Sequence, residues 1–105
     1  MSDDGLAPIG ERIVFENAHV RVWENVVEPG GESPVHRHDH DYLVIDLEGD
    51  RLVHNPIEGG EFPRMEYEVV PGAVIPLNGG VTETAINVGA TRYRGLLVEF
   101  LDNPR

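Results

Sequence analysis

Apolar and polar positions alternate in short runs along the chain, and glycine and proline interrupt them at close intervals: Pro29-Gly30-Gly31, Gly49, Asn55-Pro56, Gly59-Gly60, Pro71-Gly72, Asn78-Gly79-Gly80 and Gly89. Between these breaks lie stretches rich in β-branched and aromatic residues, at 12–16, 19–28, 42–47, 52–54, 64–70, 73–75, 81–88 and 93–101. They are too short for most helices, and no longer window carries a 3.6-residue apolar period. The pattern predicts an all-β domain of about eight antiparallel strands, which hides its edges by closing into a β-barrel or a double-sheet jelly roll. Two blocks, 30–49 and 72–89, share a layout in which a glycine turn leads into a strand that begins with polar side chains. That layout fits a barrel of two similar halves.

The chain of 105 residues is the size of one domain. The first ten, broken by Gly5, Pro8 and Gly10, are expected to form a flexible segment, and 11–105 the barrel. That segment lacks the basic and apolar regions of a signal peptide, and no apolar run approaches the roughly 20 residues that span a bilayer, so a cytoplasmic protein is expected. Nineteen acidic residues against eight basic ones give a net charge of -11, which argues against nucleic acid and anionic membrane as partners. All the basic residues are arginine and there is no cysteine. Schiff-base chemistry, thiolate nucleophiles, disulfides and zinc-thiolate sites are therefore excluded, leaving histidine and carboxylates as the strong metal ligands.

Four polar side chains, His36, His38, His40 and Tyr42, follow the Pro29-Gly30-Gly31 turn at alternate positions. On one regular strand they face the same side, with neighbours roughly 6.6 Å apart and His36 roughly 13 Å from His40. All three histidines cannot then share one ion. His36 with His38 is the better pair, and His40 becomes a rim or supporting residue unless a bulge intervenes. A pair is half a site, because a metal needs a third protein ligand.

The spacing Gly30-x5-His36-x-His38-x3-Tyr42-x6-Gly49 resembles the first motif of the cupin superfamily, with Tyr42 where that motif has glutamate. Gly72-x5-Asn78-x-Gly80-x2-Glu83-x3-Asn87 resembles the second, with Asn78 in place of proline and Glu83 in place of histidine. The likeness is to small, single-domain, RmlC-like cupins of the conserved-barrel type. It implies a jelly-roll barrel, also described as a double-stranded β-helix, with a divalent metal in its mouth. His36 and His38 match the first two ligands of the family, and Glu83 completes a two-histidine, one-carboxylate set. Fe(II) is the first candidate ion, with zinc, manganese and nickel as alternatives. Tyr42, a phenol with an ordinary pKa of about 10, is a poor ligand and is assigned instead as a catalytic hydroxyl facing substrate or a donor behind the ligands. The resemblance further implies a small-molecule substrate and pairing into a homodimer.

Two functions follow. One is a metal-dependent enzyme of dioxygenase, isomerase or lyase type. The other is a non-catalytic module whose degenerate site holds a small ligand or a metal. Among the remaining residues, His19 and His54 read as isolated surface or capping histidines, with His54 retained as a candidate for the barrel mouth. Asp46 shares the parity of His38 and Tyr42 and so either orients a histidine or faces water at a strand end. A carboxylate or enolate substrate would require one of Arg51, Arg64, Arg92 or Arg94 to enter the cavity.

Overall fold

The alternating runs become nine strands among the residues, 5–59 and 63–105, that the computed structural model describes. They are β1 (Arg12–Glu16), β2 (Val20–Val27), β3 (His36–Arg37), β4 (His40–Glu48), β5 (Arg51–Gly59), β6 (Met65–Glu68), β7 (Val74–Leu77), β8 (Val81–Asn87) and β9 (Tyr93–Pro104). Five form one sheet in the order β1-β2-β9-β4-β7 and four form the other in the order β3-β8-β5-β6. Among the described residues all seven strand pairings are antiparallel. The two sheets face each other as the halves of a jelly roll, the all-β architecture expected from the pattern. No described helix is long and apolar enough to cross a membrane.

Period-two alternation sends every second side chain of the long strands inward. Tyr93, Leu97 and Glu99 of β9 are buried, as are Tyr42, Val44 and Asp46 of β4 and Val81, Glu83, Ala85 and Asn87 of β8. One apolar cluster joins Val27, Leu52, Val69, Ala85 and Tyr93. A second joins Ile9, Tyr42, Val44 and Leu97. Full burial of a side chain such as Leu52 stabilises the fold by about 1.5–3 kcal/mol. The buried polar groups lie among and between these clusters, so the barrel interior is the place to look for chemistry. Gly95 is required there, because the Tyr93 hydroxyl crosses the position its Cβ would take on the way to Asp46.

Three elements depart from the expected pattern. The histidine segment is not one strand: β3 ends at Arg37 in the four-stranded sheet and β4 begins at His40 in the other, so the chain changes sheets at His38 and Asp39. The Asn55-Pro56 pair lies within β5 instead of ending it. Pro56 pairs with Glu83 of β8, while β6 reaches only as far as His54, so the missing proline N–H falls where no β6 partner awaits it. Of the segment expected to be flexible, residues 1–4 lie outside the described residues and the rest packs on the barrel. Ala7 N–H donates to Val35 (2.9 Å), and Ile9 is buried in the second cluster. Gly10 lies flat on Trp23, whose Cβ stands only 2.7 Å from where a side chain would start.

Candidate metal centre

Glu83 is the hub of the polar interior. It sits on β8 between β3 and β5, opposite His36 on one side and Pro56 on the other. Its Oε1 lies 2.9 Å from His38 Nε2 and 3.9 Å from His36 Nε2. The Tyr42 hydroxyl donates to the same oxygen at 3.0 Å. The other oxygen, Oε2, is 3.7 Å from His54 Nδ1 and accepts no hydrogen bond. His36, His38 and Glu83 are all buried, and one ligand atom from each lies within 4.8 Å of the other two.

Local geometry readies these donors. The His36 ring meets the Pro34 carbonyl at 2.9 Å through Nδ1, which must therefore carry the proton. Its Nε2 then presents a lone pair toward Glu83, the form in which imidazole binds a metal. Burial, reinforced by the neighbouring His38, holds His36 below its ordinary pKa and keeps it neutral. Burial alone would raise the Glu83 carboxyl, but the hydrogen bond and charge of His38, together with His54 and His36, outweigh it and keep the group ionised. His38 stacks on the Tyr42 ring, with centroids 3.7 Å apart and planes within 5°. Tyr42 is pushed far above the ordinary phenol range by burial and by Glu83, so it stays protonated.

The His36 and His38 imidazoles and an ionised carboxylate with a buried oxygen lacking a hydrogen bond fit a borderline divalent cation. Donors about 2.0–2.1 Å from a tetrahedral ion stand about 3.4 Å apart, between the 2.9 and 3.9 Å found here. The cavity they line has a volume of about 20 Å³, with Asn25, Val44, Leu52, His54 and Leu97 among its walls. It takes one ion or one water molecule and no organic substrate.

The structure brings His36, His38, Glu83 and Tyr42 together. His40 stands apart from them, its Nδ1 3.2 Å from Glu99. Tyr42 does not face open space: it is 1% exposed and its hydroxyl donates to Glu83. His54 is no surface residue. It is buried on β5, with Nε2 3.2 Å from the Tyr67 hydroxyl, while His19 is exposed and pairs with Asp102. Asp46 faces inward at 0% exposure, where it receives Tyr93 (2.6 Å) and Tyr67 (3.5 Å) and lies near enough to His54 for its charge to act on that imidazole. No arginine lines the cavity: Arg51, Arg92 and Arg94 pair with Glu66, Glu48 and Glu24, and Arg64 is exposed. Tyr67 reads in the sequence only as a core or interface aromatic, and Asn25 carries no signal at all. In Val20–Val27 both parities carry apolar residues, so nothing marks Asn25 as inward.

No protein-family model matches the chain. The β-alanine degradation protein BauB of Pseudomonas aeruginosa is 35% identical over 78 residues, covering 74% of this chain and 78% of that protein. A cupin domain from Bordetella pertussis Tohama I superposes with a TM-score of 0.70 at 25% identity, over 85% of this chain and 88% of that one. An RmlC-like cupin with a double-stranded β-helix fold from Methanocaldococcus jannaschii gives 0.68 at 15% identity, over 99% and 86% of the two chains. The polyketide cyclase RemF of Streptomyces resistomycificus gives 0.63 at 21%, over 90% and 66%, and like the archaeal protein shares the fold alone.

Proposed function

Because the chain belongs to the RmlC-like cupin superfamily, we propose that it is a metal-dependent small cupin that acts on a small organic molecule. His36, His38 and Glu83 would hold one divalent ion, with Fe(II) the first candidate and zinc, manganese or nickel the alternatives. The observation that carries this reading is the convergence of two imidazoles and an ionised carboxylate on a cavity the size of one ion. When bound, such an ion supplies Lewis-acid polarisation of a carbonyl or enolate oxygen and, if it is iron, redox chemistry toward dioxygen.

The protein's own groups set the stage for that ion. The Pro34 carbonyl fixes the His36 tautomer. Tyr42 stacks on His38 and donates its proton to Glu83 Oε1, restraining both ligands at once. Val44, Leu52 and Leu97 form the apolar part of the cavity wall. BauB is named for β-alanine degradation, which supports the breakdown of a small organic compound as the setting.

A second reading, a barrel that holds metal without turnover, is favoured by the size of the cavity, which leaves no room for substrate beside an ion. Elemental analysis of protein purified without added metal tests both. One equivalent of metal is expected in the wild type, with loss on His36→Ala and on Glu83→Ala. Metal content unchanged by Glu83→Ala overturns the three-ligand set, and a loaded protein that turns over no small carbonyl compound favours the second reading.

A further inference from the structure

A second space adjoins the ion-sized cavity. Between residues 7–11 and the facing stretches 25–28 and 31–34 runs a groove of about 490 Å³, a volume typical of small-ligand sites. Its inner wall is formed by His36 and Asn25, and the same two residues line the 20 Å³ cavity, so they are the partition between groove and metal centre.

Asn25 is 8% exposed. Among the described residues its side-chain amide makes no hydrogen bond, although it offers two donors and an acceptor. Its amide is not among the polar atoms sealed from solvent, so its unused donors and acceptor are open to a ligand entering the groove. The outer part of the groove carries Glu11, Glu28 and Glu32, all exposed. Among the described residues that line it, these and His36 are the only ionisable side chains. None of the three has an ion-pair partner among the described residues, whereas the nearby arginines are engaged elsewhere: Arg12 and Arg94 with Glu24, and Arg37 with Asp39. The groove is therefore negative at its mouth, apolar along its length, and polar at its inner end.

We propose that this groove is the substrate site, and that it takes a small molecule with an ammonium group at one end and a carbonyl or amide oxygen at the other. The ammonium lies among Glu11, Glu28 and Glu32. The oxygen points inward and accepts a hydrogen bond from the Asn25 amide beside His36. Molecules ending in carboxylate or phosphate are disfavoured at the mouth. The proposal rests on the metal-dependent reading only for the orientation, since the oxygen end is the one that faces the ligand set.

The test is titration calorimetry of the purified protein with two probes of matched length, 5-aminopentanamide and adipamate, which share the amide and differ in ending with ammonium or carboxylate. The ammonium probe is expected to bind at least about tenfold more tightly at low salt, with the gap shrinking as salt rises. The surface variant Glu11→Gln/Glu28→Gln/Glu32→Gln should close the gap. Asn25→Leu should weaken the ammonium probe about tenfold, and amide shifts in NMR should fall on Asn25, Ser33 and His36. Equal or reversed affinities, no binding of either probe, or shifts elsewhere overturn the proposal. Such a result with metal still held through His36 and Glu83 removes the groove and keeps the metal centre. Selective binding by a protein that holds no metal does the opposite.

Discussion

Removing one oxygen atom tests how the metal centre is held. In Tyr42→Phe the ring can keep its stacking on His38, and only the hydroxyl that donates to Glu83 Oε1 at 3.0 Å is lost. At 1% exposure the site offers no bulk water as a replacement. A hydrogen bond to a charged acceptor contributes about 1.5–3 kcal/mol, and His38 Nε2, still 2.9 Å from the same oxygen, keeps the loss near the lower figure. For a domain of this size that corresponds to a fall in Tm of about 6–12 °C in metal-free protein. Because the restraint on a ligand carboxylate is also lost, metal affinity should drop by about 10–100-fold. Thermal unfolding by circular dichroism, paired with competition against a chromogenic chelator, reads both quantities. If Tm stays within about 1 °C and affinity within about twofold of wild type, the reasoning that Tyr42 positions Glu83 is wrong.

Acid should act on the same groups. His36 and His54 are held below their ordinary 6.5, and Glu83 below its ordinary 4.5, so the unfolded chain binds more protons than the native one as pH falls through this range. The stability they contribute is complete above about pH 6.5 and is lost on acidification, with metal released in step; a flat profile of Tm and metal content down to pH 4 would contradict this. Gly95→Ala forces a Cβ onto the Tyr93 hydroxyl and should cost about 1–3 kcal/mol in urea unfolding, partly recovered in Gly95→Ala/Tyr93→Phe. No recovery in the double variant means that the clash lies elsewhere. The homodimer expected from the sequence has a candidate surface in β1, an edge strand of the five-stranded sheet with Ile13, Val14 and Phe15 exposed. Sedimentation should show a dimer that Phe15→Glu dissociates, and a wild-type protein sedimenting at 11.6 kDa refutes it.

The grouping of His36, His38 and Glu83 was legible because the spacings match the two cupin motifs. His36, His38 and Glu83 stand at motif positions whose strands any barrel of this kind must pair, and His36 indeed lies opposite Glu83. The path between them was less legible. Alternation from His36 to Tyr42 suggests one strand, but the chain leaves one sheet and joins the other at His38, and no local pattern encodes such a crossing. His54 looked isolated because its partners, Glu83 and Tyr67, are brought to it by the pairing of β5 with β8 and β6. The packing of Ile9 escaped notice for a similar reason: the glycines and proline around it signal irregular backbone, which is correct, but irregular backbone can still be buried. Tyr42 was recognised as a departure from the glutamate of the motif, yet only the contact with Glu83 shows that its hydroxyl turns toward that carboxylate and away from open space.

Strand β3 is two residues long and pairs with β8 only through His36↔Glu83 and Arg37↔Thr82, with Ala7 bridging its other side. So short a rung has little cooperativity of its own. A cation shared by His36 and Glu83 would span that rung, joining the strands through side chains as well as backbone. The opening of this edge is thus linked to occupancy, and amide hydrogens around His36 and His38 should exchange with solvent more slowly in loaded protein than in stripped protein, while those deep in β9 should not respond.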